Sequence, residues 1–281
     1  MNNTFNFNRF GKLLAFDGKK YLRNFGLTLA ILCGLNIVLW LLTLIFGFTM
    51  PTLPRFIVIY IAFFLGTILV PAKAFGDINL PREGVCYAIL PVSTLEKYLS
   101  YVCFCLMTPI AIILGSWAID SLLTLLPFGG FSHYIKHFGF MQIMQDFLME
   151  IGELSGADFS GESIEQYQSI YSLFGPAYNY SIIIGMIFNV GLFMLGNLFF
   201  KTHKTGKTLA VMIGVSYVSS MIMQVVLIAN GSSLFVHADN IDFNSIAEFT
   251  NSRFLFSSIF NTILTIGLYI GLYFKLKTQK Y

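Results

Sequence analysis

Two long hydrophobic runs of the chain are separated by a patterned polar segment, Leu90-Pro91-Val92-Ser93-Thr94-Leu95-Glu96-Lys97-Tyr98-Leu99-Ser100. Ser93 and Glu96 have the S-x-x-E spacing of a capping box, in which the serine oxygen and the glutamate carboxylate each accept from the other residue's amide. Pro91 restricts Leu90 to an extended conformation, so the chain enters this element from a turn. We predict a helix that begins at about Thr94. The pattern alone equally fits the start of an ordinary membrane helix.

The composition places the chain in a lipid bilayer. Of its 281 residues, 56% are hydrophobic and only 11% are charged, so its surface cannot be that of an ordinary soluble protein. The net charge of +3 is small. The basic residues form short clusters beside apolar runs, without the exposed aromatic residues of a nucleic-acid interface. We therefore expect a lipid bilayer as the surroundings and no nucleic acid as a partner.

Six apolar runs approach the roughly 20 residues that a helix needs to cross the hydrocarbon core. They cover about 27–48, 56–72, 101–126, 181–200, 209–229 and 254–274. The first run is too long for a signal-peptide core and no small-residue cleavage site follows it, so it is read as an uncleaved span. The sequence thus predicts an all-α integral membrane protein with six transmembrane helices in a single transmembrane domain, 1–281.

The segment before the first span has an amphipathic pattern. Phe10, Leu14, Tyr21 and Phe25 recur at helix-compatible spacing, and basic residues stand between them. Such a pattern is typical of a helix that lies in the membrane interface. We predict that residues 1–25 form an amphipathic helix on the inner surface.

The distribution of basic residues orients the spans. Cytoplasmic loops of membrane proteins carry an excess of Lys and Arg. With the N terminus inside, fourteen of the 17 basic residues fall on the inner side, and only Arg55, Lys136 and Arg253 fall outside. The outer segments instead hold most of the acidic residues. Both termini are therefore predicted to be cytoplasmic.

The longest outer segment, 128–179, carries two apolar helical faces separated by the Gly/Ser-rich stretch 155–161. We predict a small external helical hairpin here. Glycines at helical spacing also predict close approach of helices: Gly267 and Gly271 in the sixth span, and Gly185, Gly191 and Gly196 in the fourth.

No pattern in the chain points to catalysis, so we predict a protein that is not an enzyme and holds no cofactor or metal. Residues 205–208 read T-G-K-T, but the first glycine of a phosphate-binding loop is replaced by Lys201. His133 and His137 are four residues apart without a third ligand fixed by spacing. The four cysteines lie in or beside apolar runs and are interpreted as packing residues.

The central segment resembles a motif of a known transporter family. An inner loop, 73–100, ends in L-P-V-S-T-L-E-K. This is similar to the pattern L-P-[VA]-S-x-x-E-[KR] in permease subunits of type-two ATP-binding-cassette exporters. Six spans, a basic amphipathic N-terminal segment and a short basic tail strengthen the resemblance.

The resemblance implies that loop 73–100 is a coupling loop that docks on a separate ATP-binding-cassette ATPase, which would hold the ATP. Pro91, Ser93, Glu96 and Lys97 would shape or contact the docking surface. Arg9 and Lys12 match the basic character of the family's N-terminal helix. The resemblance further implies a homodimer or heterodimer of permease subunits in a bacterial cytoplasmic membrane. The exported substrate would be a lipid, a peptide or a hydrophobic small molecule.

Two other functions remain open at this point. The acidic segment 128–179 is larger than a minimal permease requires, and it fits a non-transporting membrane protein that binds or regulates an envelope partner through the external hairpin. A membrane enzyme that uses His133 and His137 is the third possibility.

Overall fold

The computed structural model of the chain describes residues 5–79, 81–126, 130–131, 133–136, 146, 150, 161–235 and 243–278. Within these ranges, the side chains of residues 77, 79, 81–83, 161–179, 223–224, 226–235 and 243–254 are not described. The helices are α1 (Phe7–Cys33), α2 (Leu35–Phe46), α3 (Thr52–Ala74), α4 (Pro81–Ile89), α5 (Thr94–Thr124), α6 (Gly161–Phe199), α7 (Lys204–Phe235) and α8 (Phe243–Thr278). A short 3-10 helix, Gly76–Asn79, follows α3.

Five helical stretches in the described part of the chain are long and apolar enough to cross a membrane: Phe7–Phe46, which combines α1 and α2, Thr52–Ala74, Thr94–Thr124, Tyr180–Phe199 and Leu255–Thr278. The predicted span 209–229 lies inside α7 and is not among the five. The structure therefore has the character of an all-helical membrane protein, and the count of six spans stays a prediction.

Helix α1 passes through the predicted boundary between the amphipathic segment and the first span. Asn6 caps its start, because the Asn6 side chain accepts from the amides of Asn8 at 2.9 Å and Arg9 at 3.4 Å. The helix then continues without a break to Cys33, and Gly34 alone separates it from α2. Gly47, in the left-handed conformation with φ 67°, ends α2. Residues 7–33 are thus one helix, and the placement of 1–25 on the inner surface stays a prediction.

Part of the predicted external hairpin lies outside the described residues, namely 128–129, 132, 137–145, 147–149 and 151–160. Residues 161–179 are helical and continue directly into the predicted fourth span as one helix, α6. Because the undescribed residues make up most of the segment before residue 155, the helical hairpin stays a prediction.

Contacts along α5 define the directions of its neighbours. Helices α1 and α2 run parallel to it, because Tyr21 bonds to Thr108 at 2.8 Å and Asn36 bonds to Asp120 at 3.2 Å. Helix α3 runs antiparallel, since Arg55 lies beside Asp120 while the Phe75 ring lies 4.9 Å from the Tyr101 ring. A Cβ on Gly66 would meet Ile112 midway between these contacts.

The second half of the chain packs against the same core. Helices α6 and α8 run parallel, because the Tyr269 hydroxyl donates to the Ile187 carbonyl at 3.1 Å and the Lys275 ammonium lies 4.5 Å from the Phe199 ring centroid. Asn197 of α6 donates to the Phe75 carbonyl at 3.2 Å. The end of α6 therefore lies beside the end of α3 and the start of α5.

Two of the glycine predictions are confirmed. A Cβ on Gly191 would lie 2.6 Å from Leu268 Cδ2, and one on Gly196 would lie 2.8 Å from Thr208 Cβ, so both glycines allow close helix contact. Gly185, Gly267 and Gly271 have no such neighbour within 4 Å in the described chain.

We expect Gly196→Ala to lower the free energy of unfolding by about 1–3 kcal/mol, because the added methyl group forces α6 and α7 apart. Gly267→Ala is the matched control, since its methyl group enters open space and alanine favours helix by about 1 kcal/mol. Denaturant titration of the purified chain in micelles measures both. Equal losses in the two variants would contradict the close α6–α7 approach.

Candidate functional site

The predicted capping box is present at the start of α5. The Ser93 hydroxyl accepts from the Glu96 amide at 3.2 Å, and the Glu96 carboxylate accepts from the Ser93 amide at 2.7 Å. Helix α5 begins at Thr94, as the spacing predicts. The sequence signal therefore specifies both the start of the helix and its local hydrogen bonds.

Glu96 also bonds to the start of a second helix. Its Oε1 atom accepts from the Asn6 amide at 2.8 Å and from Arg9 Nη2 at 3.3 Å. The Glu96 side chain is fully buried, whereas the Arg9 side chain is 32% accessible and Asn6 is exposed. A carboxylate at a helix N terminus is favoured by the helix dipole, and here it lies at the N termini of both α1 and α5. The structure thus brings together two predicted site residues, Arg9 and Glu96, from positions 87 apart.

Asp17 is a further buried carboxylate at this end, and the sequence prediction missed it. The Ser100 hydroxyl donates to Asp17 Oδ2 at 2.6 Å, and the Tyr87 hydroxyl lies 3.5 Å from the same atom. A signal was available, because Asp17 shares its helical face with the buried residues Leu13, Tyr21 and Phe25. A lone acidic residue on an apolar face requires a polar partner elsewhere in the fold.

The remaining predicted site residues have different surroundings. Lys97 is half-buried, donates to the Ala88 carbonyl at 2.9 Å and lies 5.5 Å from the Tyr87 ring centroid, so it connects α4 to α5. Pro91 is exposed. Lys12 is also exposed, and the structure does not bring it to Glu96. We name Arg9, Asp17, Ser93, Glu96, Lys97 and Ser100 the inner node, after the predicted inner side of the membrane. Their bonds, together with those to Ala88 and Tyr87 of α4, join α1, α4 and α5.

Exposed apolar side chains lie beside the inner node in loop 73–100. Val85, Ile89 and Leu95 are exposed, and Ile89 is 71% accessible. With Pro91, they form what we call the loop surface. Because Ser93 and Glu96 are buried, they can shape this surface but cannot be its contact residues.

A second polar cluster lies at the other end of α5. Arg55 and Asp120 are both fully buried, with Arg55 Nη2 3.5 Å from Asp120 Oδ2, and Asn36 donates to Asp120 Oδ1 at 3.2 Å. Sequence reasoning placed Arg55 on the outer side but did not pair it with Asp120. His133 Nδ1 lies 3.4 Å from Glu150 Oε1, whereas His137 lies outside the described residues.

The spacing of the two polar clusters corresponds to a bilayer. Ser100 and Asp120 are twenty residues apart on one helix, which is a rise of about 30 Å. The hydrocarbon core of a membrane is also about 30 Å thick. Between them, the core of the bundle contains buried apolar side chains such as Phe25, Cys105 and Ile112. The polar clusters thus lie where the two membrane surfaces are expected.

The chain matches no protein-family model, no curated protein and no solved structure. The five apolar helical stretches in the described part of the chain indicate a multi-pass helical membrane protein.

Proposed function

We propose that the chain is the permease subunit of an ATP-binding-cassette exporter, coupled to a separate ATPase through residues 73–100. The observation that carries the proposal is the position of Glu96, which joins the N termini of α1 and α5. The positive-inside rule predicts that this end of the bundle is cytoplasmic. A permease that receives force from an ATPase needs a rigid connection between its helices at the cytoplasmic surface.

The ATPase would contact the chain at the loop surface. Its apolar residues are accessible, and α4 is attached to the inner node through the Lys97 bond to the Ala88 carbonyl and the Tyr87 contact with Asp17. A displacement of α4 therefore displaces the start of α5 as well.

Helix α5 would carry this displacement across the membrane, because it is a single helix of 31 residues. Helix α1 would follow, since Glu96 bonds to Asn6 and Ser100 bonds to Asp17. ATP hydrolysis on the partner would then bias the bundle between two arrangements. The exported lipid, peptide or hydrophobic small molecule, a second permease subunit and the bacterial cytoplasmic membrane are parts of the same proposal.

Replacing Ile89 with glutamate tests the coupling. We expect at least a tenfold lower recovery of a cassette-type ATPase with the tagged chain from mild detergent, because a charge in an apolar contact must be desolvated without a partner. Mass spectrometry of the purified complex and its ATP hydrolysis rate are the measurements.

Leu125→Glu is the matched control, because Leu125 is 79% exposed at the opposite end of α5. It should leave ATPase recovery unchanged. If no such ATPase accompanies the wild-type chain, or if both variants recover it equally, the proposed coupling is wrong.

A further inference from the structure

The second polar cluster contains a long-range helix cap. Glu150 Oε2 accepts from the Thr52 amide at 2.8 Å and from the Thr52 hydroxyl at 2.9 Å. Thr52 is the first residue of α3, and the preceding Pro51 provides no side-chain cap. Glu150, 98 residues further along the chain, thus supplies the acceptor that the local sequence lacks.

One turn later in α3, Arg55 holds a non-helical segment against the bundle. Arg55 Nη2 donates to the backbone carbonyl of His133, and the Arg55 Cζ atom lies 4.4 Å from the Phe131 ring centroid. The Trp117 indole donates to the Ile135 carbonyl at 2.9 Å. Residues 133–135 therefore bridge the ends of α3 and α5.

These contacts leave Arg55 incompletely bonded. Its Nε and Nη1 atoms are buried and have no hydrogen-bond partner among the residues that the structure describes. Its distance of 3.5 Å from Asp120 exceeds the roughly 2.7–2.9 Å of a charge-assisted hydrogen bond. A buried polar group with unused donors is costly, so an arrangement that uses them would compete with this one.

We propose that Thr52, Arg55, Asp120, His133 and Glu150 form a releasable clasp at the outer end of the bundle. In the closed arrangement, Glu150 caps α3 and Arg55 holds the His133 carbonyl. On release, Arg55 turns Nε and Nη2 towards Asp120 in a bidentate pair, while the Thr52 amide and hydroxyl, the Glu150 carboxylate and the His133 carbonyl bond to water instead. Each arrangement satisfies a different part of the hydrogen-bonding groups of the clasp. The clasp is therefore an element with two states.

The clasp is connected to the inner node by α5. Asp120 follows Glu96 by 24 residues in the same helix, a rise of about 36 Å. Movement of the start of α5 would therefore move Asp120 relative to Arg55. This connection rests on the proposed function, whereas the clasp itself does not.

Hydrogen exchange of the full chain in nanodiscs, resolved to single amides, tests the clasp. Glu150→Ala should raise the exchange rate of the Thr52 amide at least tenfold, because that amide loses its acceptor. Asp146→Ala is the matched control, since Asp146 precedes Glu150 by four residues and is partly exposed. The buried Phe63 in the middle of α3 reports whether the bundle stays folded, and its rate should not change.

Three results decide the outcome. If Glu150→Ala leaves the Thr52 rate unchanged while Phe63 stays protected, the clasp does not exist. If the Thr52 amide of the wild-type chain exchanges as slowly as that of Phe63, the contact is permanent and the proposal of release is wrong. If Glu150→Ala acts as expected but Glu96→Ala raises the exchange rate of the Thr52 amide less than about twofold, the clasp is supported and its connection to the inner node is contradicted.

Discussion

Replacing Glu96 with alanine is expected to lower the free energy of unfolding by about 2–4 kcal/mol, because donors at the N termini of two helices lose their buried acceptor. The amides of Ser93 and Asn6 and the guanidinium of Arg9 all bond to this carboxylate, at 2.7, 2.8 and 3.3 Å. Titration of the purified chain with a denaturing detergent, followed by the fluorescence of Trp40 and Trp117, measures the change.

Two further variants separate the local cap from the contact with α1. Ser93→Ala removes one acceptor of the capping box and should cost about 1 kcal/mol. Lys12→Ala changes an exposed side chain of α1 and should lie within about 0.5 kcal/mol of the wild type. A Glu96→Ala loss no larger than that of Ser93→Ala would mean that the bonds to Asn6 and Arg9 contribute no stability.

Breaking the buried ion pair at the other end should have the largest effect on stability. Arg55→Met leaves Asp120 charged and buried without a cation, which costs about 3–5 kcal/mol. Asp120→Leu leaves the Arg55 guanidinium in the same position and should cost a similar amount. The double variant replaces both charges with apolar groups, so it should be more stable than either single variant.

A double-mutant cycle of unfolding free energies measures this coupling. Arg23→Met is the control for the loss of one arginine, because Arg23 is exposed on α1 and should tolerate the change within about 0.5 kcal/mol. Additive losses at Arg55 and Asp120 would contradict an energetic pair.

The start of α5 could be predicted from sequence because its signal is local. Ser93 and Glu96 are three residues apart, and both bonds of the capping box form between them. The apolar runs likewise coincide with helices, since long apolar segments require helical hydrogen bonding in lipid. The end of α1 was not predicted, because the pattern changes from amphipathic to apolar near residue 26 while the helix continues to Cys33.

The composition of the candidate site could be predicted only in part. Glu96 was singled out as a residue that would shape or contact the docking surface, and that role stays a prediction; its burial and its bonds to Asn6 and Arg9 were not predicted. Asp17 and the loop-surface residue Ile89 were not singled out, because their roles depend on which neighbours the fold brings to them. In the structure, the buried Glu96 carboxylate connects the starts of two helices.

The sequence by itself determined the membrane character of the chain and the helix start at Thr94, because hydropathy and capping depend on residues within a few positions of one another. Only the tertiary structure decided that Glu96 joins α5 to α1, that Asp17 bonds to Ser100 and that Arg55 pairs with Asp120. These contacts join residues 65 to 90 positions apart. They depend on which helices are neighbours and how each is rotated, and neither property is written in a local pattern.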